Sequence, residues 1–241
     1  MSKTPPRSLF PDPRTAPEDA PLAMGGRLSA PILEQAYRCG IFPWYSPGQP
    51  ILWWSPDPRF VLRPDEVTIP RSLAKEARKE HWRVTFDEAF GDVIRACAAQ
   101  QRPGQEGTWI TADMIAGYEA LHAAGIAHSA ECWRDGMLAG GCYGVAIGSM
   151  FAGESMFYRR PDASKVAFAK LAERLGERGY AFIDCQQPTE HLARFGAKKW
   201  HRSRFLDALA EAVEQPDCWW GRGGLAKGGL ICEVKRGIEF L

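Results

Sequence analysis

The chain has 241 residues, 45% of them hydrophobic and 24% charged, and its 30 Lys and Arg against 29 Asp and Glu leave a net charge of +1. That balance excludes a chain disordered throughout and gives no global pull on nucleic acid, so a polyanionic partner must be met by a local basic face. No run approaches the ~18 consecutive apolar residues of a membrane span, and Pro, Arg and Asp stand where a secretory signal needs an apolar core; a cytoplasmic protein with no membrane partner is expected, built as one globular unit or two small ones.

Seven cysteines, at 39, 97, 132, 142, 185, 218 and 232, form no C-x-x-C pair and have no paired histidines at ligand spacing. Neither a structural zinc site nor a disulfide framework is expected, and no metal is assigned.

Residues 1 to 21 hold six of the 18 prolines without periodic apolar positions, which reads as a flexible lead-in with extended pieces. Ser29 then predicts the cap of a helix with Pro31 in its first turn, Ile32, Leu33, Ala36 and Tyr37 inward, and a stop at Gly40. The run from Ile41 to Phe60, IFPWYSPGQPILWWSPDPRF, carries three tryptophans and five prolines. So many prolines exclude a regular helix or a central strand and predict an ordered aromatic loop, either plugging the core or offering a stacking platform for a base.

Between Pro70 and Glu80 the pattern predicts a helix with Leu73, Ala74 and Ala77 inward, then a strand near Arg83 to Phe86 and a helix near Phe90 to Ala99. Arg71, Lys75, Arg78 and Lys79 recur at helical spacing and would share one face, which is either a solvated face or the local basic patch sought above. A Gly-rich turn at 104 to 107 precedes a helix capped by Thr111, with Ile115, Tyr118 and Leu121 inward and an end near Gly125. Alternation over 128 to 134, the Asp135-Gly136 turn signal and the β-rich stretch from Met137 to Phe151 predict two or three antiparallel strands. A helix from Ala163 to Gly179, a strand from Tyr180 to Asp184 and a helix near Arg204 to Val213 follow, and the tail from Asp217 shows no pattern.

Glu154, ending the strand in FAGESMF, and Asp184 and Gln186, ending the strand in IDCQ, are separated by one helix that could bring the two strands side by side. Each alone has a structural reading too, as a cap, an Arg159 partner or a buried turn residue. No G-x-S-x-G, H-E-x-x-H or G-x-x-x-x-G-K-[ST] is present, so hydrolase, zinc-protease and NTPase readings lack their residues. His122, His128, His191 and His201 show no acidic relay or ligand partner and are read as structural or surface residues.

The blocks AYRCGIFPWY (36 to 45), WWSPDPR (53 to 59), EGTWIT (106 to 111), H-S-x-E-x-W (128 to 133), G-G-C-Y-G-V-A-I-G-x-x-F-x-G-E-S-M-F (140 to 157), DASK (162 to 165) and IDCQ (183 to 186) occur in one order. Over residues 25 to 206 the chain resembles the leucyl/phenylalanyl-tRNA-protein transferases. The resemblance implies an α+β chain, with a small N-terminal α/β domain (1 to 62, holding the aromatic loop) before an acetyltransferase-like catalytic domain of GCN5-related fold (63 to 241). It implies transfer of Leu or Phe, and also Met, from aminoacyl-tRNA to proteins that begin with Arg or Lys, marking them for degradation by the N-end rule, with no cofactor.

Position by position, the resemblance puts Glu154, Asp184 and Gln186 around the reacting amine and ester, with Glu154 near the acceptor's basic end, where two carboxylates suit a cation. Cys142, Phe151, Gly153 and Leu171 would line the donor pocket, Trp109 would lie beside the terminal adenosine, and Tyr37 and Trp44 would stack at the 3′ end. Arg71, Lys75, Arg78 and Lys79 would meet the acceptor stem. Cys142 and Leu171 are smaller than expected there. The rival reading, an acetyl-CoA-dependent N-acetyltransferase, wants a pyrophosphate loop, and the segment nearest to one, Gln101 to Glu106, ends in Glu. A monomer is expected.

Overall fold

The computed structural model describes residues 9–100 and 108–216. The Gly-rich turn at 104 to 107, the segment Gln101 to Glu106 and the tail from Asp217 lie outside them.

The longest β-forming segments make the centre of the molecule. Strands β5 (Arg83–Phe86), β6 (Ala127–Arg134), β7 (Met137–Ile147) and β8 (Met150–Tyr158) run antiparallel in order. Asp135 and Gly136 both take positive φ (52° and 74°), as a tight two-residue hairpin turn requires. After β8 the chain crosses over through helix α5 (Ala163–Glu177) and returns as β9 (Phe182–Gln186), parallel to β8. The antiparallel set, the helix and the parallel strand give the order expected of the catalytic domain.

Two strands extend this sheet beyond expectation: β4 (Arg59–Leu62) beside β9, and β10 (Lys198–Trp200) at the edge, giving seven strands ordered β10-β4-β9-β8-β7-β6-β5. Arg59 and Phe60 close the aromatic run, so that run does contain part of an inner strand. Its prolines stop short of the ladder, the last being Pro58. The same run also forms β2 (Phe42–Pro43) and β3 (Leu52–Trp54), which with β1 (Ala23–Met24) make a separate three-stranded sheet.

Side-chain alternation divides the core into two layers. On one face Tyr143, Met150, Ala152 and Phe182 pack with α1 (Ala30–Arg38), α3 (Phe90–Ala99), α4 (Ala112–Ala123) and α7 (Arg202–Val213). On the other, Cys142, Phe151 and Ile183 pack under α5 and α2 (Arg71–Ala77). Thr111 caps α4 by accepting from the Met114 N–H, whereas Ser29 sits at the α1 N-cap without a side-chain bond. The short α6 (Glu190–Ala193) precedes β10.

The lead-in is packed from Phe10 on. Phe10 meets Trp53 edge-on at 4.8 Å, and the carbonyl of buried Ala16 accepts from Arg202 Nη2 at 2.6 Å. Helix α2 is shorter than expected: it ends at Ala77, Arg78 is its C-cap, and Lys79 lies beyond, folded back on Glu76 at 2.5 Å. The turn that follows buries Trp82, whose indole N–H donates to Glu76. All four cations are exposed; Arg71 and Lys75 lie within the helix and Arg78 at its cap, while Lys79 lies beyond it.

Candidate active site

The two sheets leave between them a cleft of about 1210 Å³. Trp44, Trp54 and Trp109 line its aromatic side, and Cys142, Phe151, Met156, Leu171 and Ile183 line an apolar recess. Of the expected substrate-binding residues, Trp44, Trp109, Cys142, Phe151, Gly153 and Leu171 are thus brought together. Trp44 is 39% exposed and tilted against Trp54, with ring centroids 5.8 Å apart, so much of its face is open. Burial pushes the Cys142 and Cys185 thiols up, so both remain neutral at pH 7.

Glu154 and Gln186 stand on the floor of this cleft. Glu154 lies inside β8 instead of ending it: Gly144 faces Gly153 while Tyr143 faces Ser155, leaving Glu154 as the extra residue of a bulge. A bulge re-aims the side chain it carries, and a glycine is needed opposite, since a Cβ at 144 would sit 2.2 Å from the Ala152 carbonyl. The parallel ladder is recorded to Ala152 opposite Asp184, and two residues further the side chains meet, Gln186 Nε2 donating to Glu154 Oε1 at 2.7 Å.

Two more groups lie within hydrogen-bond reach of Glu154, the Tyr37 hydroxyl at 2.6 Å from Oε1 and the Tyr118 hydroxyl at 2.8 Å from Oε2, and the two hydroxyl oxygens also face each other; the ionised carboxylate accepts from both, and the bond between the hydroxyls needs the third proton of a protonated Glu154. Burial raises the Glu154 pKa to about 7 despite these donors. Burial, then the neighbouring Glu154 charge, holds both tyrosines well above their usual range, so they remain donors.

Tyr37 therefore differs from its expected role. It is 2% exposed, does not line the cleft, and supports Glu154 from behind, so its ring is unavailable for stacking on a base. Tyr118 was assigned only an apolar helix contact; its hydroxyl cannot be read from periodicity.

Asp184 is inside β9, 1% exposed, and both its oxygens are held by Arg59, Nε to Oδ1 at 2.7 Å and Nη2 to Oδ2 at 2.6 Å. Glu154 and Asp184 therefore do not form the paired anionic site expected for a cation. Asp184 is paired with Arg59, and burial, which raises the Glu154 pKa to about 7, makes that carboxyl hold its charge less readily than an ordinary one. Arg59, the last residue of the WWSPDPR block, was not singled out.

Among the described residues, one group has metal-ligand spacing, Asp87, His122 and His128, away from the cleft. Asp87 is the acidic partner that His128 lacked in sequence, at 2.8 Å from Nδ1, while Nε2 faces the Gly125 carbonyl at 3.1 Å and His122 Nδ1 faces the Ala127 carbonyl at 2.8 Å. These nitrogens already have hydrogen-bond partners, which accounts for the cluster structurally. No described helix is long and apolar enough to cross a membrane.

An apolar recess that ends on an amide and a carboxylate carried by two parallel strands suits an enzyme that moves an acyl group onto an amine. Comparison with known proteins makes this specific. The profile described as leucyl/phenylalanyl-tRNA protein transferase matches residues 61–210, and that of the family's N-terminal domain matches 26–57. The leucyl/phenylalanyl-tRNA–protein transferase of Myxococcus xanthus (strain DK1622) is 55% identical over 208 residues, 86% of this chain and 89% of that one. That of Anaeromyxobacter sp. (strain K) is 52% identical over 92% of this chain and 96% of its own. A GCN5-related N-acetyltransferase from Kribbella flavida superposes with a TM-score of 0.36 at 13% identity, covering 69% of this chain and 59% of that one. The chain belongs to the leucyl/phenylalanyl-tRNA–protein transferase family, aminoacyltransferases that move Leu or Phe from aminoacyl-tRNA to the N-terminal residues of proteins.

Proposed function

We propose that this chain transfers Leu or Phe, and also Met, from aminoacyl-tRNA to proteins beginning with Arg or Lys, as a cytoplasmic monomer whose products are marked for degradation. The observation that carries the chemistry is the Glu154 carboxylate, raised to about 7 and aimed by Gln186, Tyr37 and Tyr118 beside an apolar recess. An α-ammonium has its pKa near 7.7 to 8.0, so a carboxylate of about 7 is nearly matched to take its proton.

The donor side chain enters the recess formed by Cys142, Phe151, Gly153 and Leu171, and Trp44 and Trp109 flank the terminal adenosine. The acceptor ammonium gives one proton to Glu154, its nitrogen attacks the ester carbonyl, the carbonyl–ribose bond breaks, and the ribose oxygen takes the amine's second departing proton. Because the ester is already activated, holding the amine ~3 Å from the carbonyl supplies most of the acceleration. Gln186 is placed to hold one reacting group, and Asp184 positions Gln186. Arg71, Lys75, Arg78 and Lys79 steer the acceptor stem as point charges.

Apart from Glu154, the carboxylate among the described cleft-lining residues is Asp162, paired with Lys165 at 2.7 Å and partly exposed. Unlike the buried Arg59–Asp184 pair, this exposed pair is weak, so the acceptor's cationic side chain can take the place of Lys165 on Asp162. The test is the single-turnover rate against pH at saturating acceptor: an inflection near pH 7 that disappears in Glu154→Gln supports the scheme, and an unchanged profile in that variant contradicts it.

A further inference from the structure

We infer that Arg59 is a positioning residue of the transfer reaction, a buried clamp that holds Gln186 and the helix bearing Tyr37 in register around Glu154. The inference rests on the reading of Glu154 and Gln186 above, and extends it to a residue that touches neither substrate nor the reacting atoms.

Arg59 is 1% exposed at the start of β4, and each arm of its guanidinium has a different task. Nε and Nη2 hold the two oxygens of Asp184 in a fork that only a planar guanidinium makes. Nη1 donates to the Gly40 carbonyl at 3.1 Å, just past the end of α1, three residues beyond Tyr37. The guanidinium carbon also lies over the rings of Phe42 and Phe205, 4.9 and 4.4 Å from their centroids, and these contacts further restrict it.

What the clamp orders is unusual backbone. Gln186 has φ of 61°, a conformation that a non-glycine residue keeps only when its surroundings impose it. The imposing contact is its own N–H, which donates at 2.9 Å to the Asp184 oxygen that Arg59 Nε also holds. One guanidinium thus fixes a carboxylate, the carboxylate fixes the Gln186 backbone, and the Gln186 amide reaches Glu154 at 2.7 Å. On the other side, Gly40 allows the close approach: a Cβ there would meet Leu206 Cδ2 at 2.7 Å and Phe205 Cε1 at 2.9 Å.

The clamp also governs charge. Asp184 lies near enough to Glu154 to raise its pKa, and Arg59 supplies the opposite charge at that carboxylate. Geometry and charge can be separated by two variants that avoid leaving a lone buried carboxylate, a change that can prevent folding. Arg59→Lys keeps the charge and loses the fork. Arg59→Met with Asp184→Asn loses both charges and keeps the volume.

Both variants, purified as the full chain, should melt cooperatively and bind charged tRNA with a KM within about threefold of the parent, while kcat falls by about tenfold or more because the reacting groups are misplaced. The acid limb of the kcat profile should stay in place in Arg59→Lys, which keeps both charges, and shift little in the double variant, which removes one charge of each sign together, so that the fall in kcat reports geometry. Parent-like kcat in both variants, or a loss confined to KM, would overturn the role of Arg59. A parent chain without transfer activity would instead overturn the reading of the site on which it rests.

Discussion

At Glu154 the physics of burial and the chemistry of transfer make opposite demands. A carboxylate raised to about 7 takes up a proton in the native state that the unfolded chain, with its ordinary carboxylate pKa, binds only at lower pH. Its contribution therefore favours the native state at low pH and is lost as pH rises through about 7. Relative to Glu154→Gln, the parent should lose melting temperature between about pH 5 and pH 8, and a difference that stays constant over that range would show that Glu154 does not titrate in the folded chain. The same rise in pH supplies the ionised form that accepts the amine's proton, so stability and rate should move in opposite directions. Asp162→Asn should narrow the rate difference between acceptor peptides starting with Arg and with Gly, leaving the Gly peptide unaffected; an unchanged ratio places recognition of the cation elsewhere.

At the scale of elements, Gly153 offers a clean probe of the recess. A Cβ added there has no neighbour nearer than the Asp184 carbonyl at 3.8 Å, so Gly153→Ala should fold as the parent does while narrowing the pocket. The smaller space should cost Phe more than Leu, by ~1 to 3 kcal/mol in relative kcat/KM, the usual worth of a methylene in such a pocket. Trp44→Ala should raise the KM for charged tRNA by the ~1 to 3 kcal/mol of one base stack, with little change in kcat; an equal fall in kcat would place Trp44 at the chemistry instead. On α2, Arg71→Ala and Lys75→Ala should each lower the salt slope of tRNA binding by about 1, whatever the tRNA sequence. A slope unchanged in both would assign that face to solvent.

The same elements show what the sequence made legible. The strands β5 to β7 and the helices α3 and α4 stand close to where the sequence put them, whereas β8 runs on to Tyr158, past both Phe151 and Glu154. Strands of two or three residues, β1 to β3 and β10, are too short to show a period, and prolines disguised β4 as loop. The meeting of Glu154 with Gln186 followed from strand order, yet the bulge that aims Glu154 did not. Its signal is Gly144, which reads as one glycine among several until the register is known. Arg59 and Tyr118 reach their partners across 125 and 36 residues, and no local pattern encodes a contact of that kind. Tyr37 was recognised as a site residue but given the wrong surface, because residue type does not say which side of a carboxylate an aromatic ring will occupy.

Over the whole molecule, the aromatic loop region and the large sheet act as one device. The small sheet supplies Trp44 and Trp54, the large sheet supplies the recess and the floor, and Arg59 and Arg202 tie the N-terminal segments to the sheet and α7 through carbonyls and a carboxylate. In this family the donor arrives activated on RNA, and the cleft between the two sheets offers the surface on which it can be positioned. The most direct measurement is transfer of radiolabelled Leu, Phe and Val from charged tRNA to a peptide starting with Arg and to the same peptide starting with Gly. Label is expected on the Arg peptide from Leu and Phe, with little from Val and little on the Gly peptide. No label from any donor, together with heat released on mixing with acetyl-CoA, would contradict that expectation.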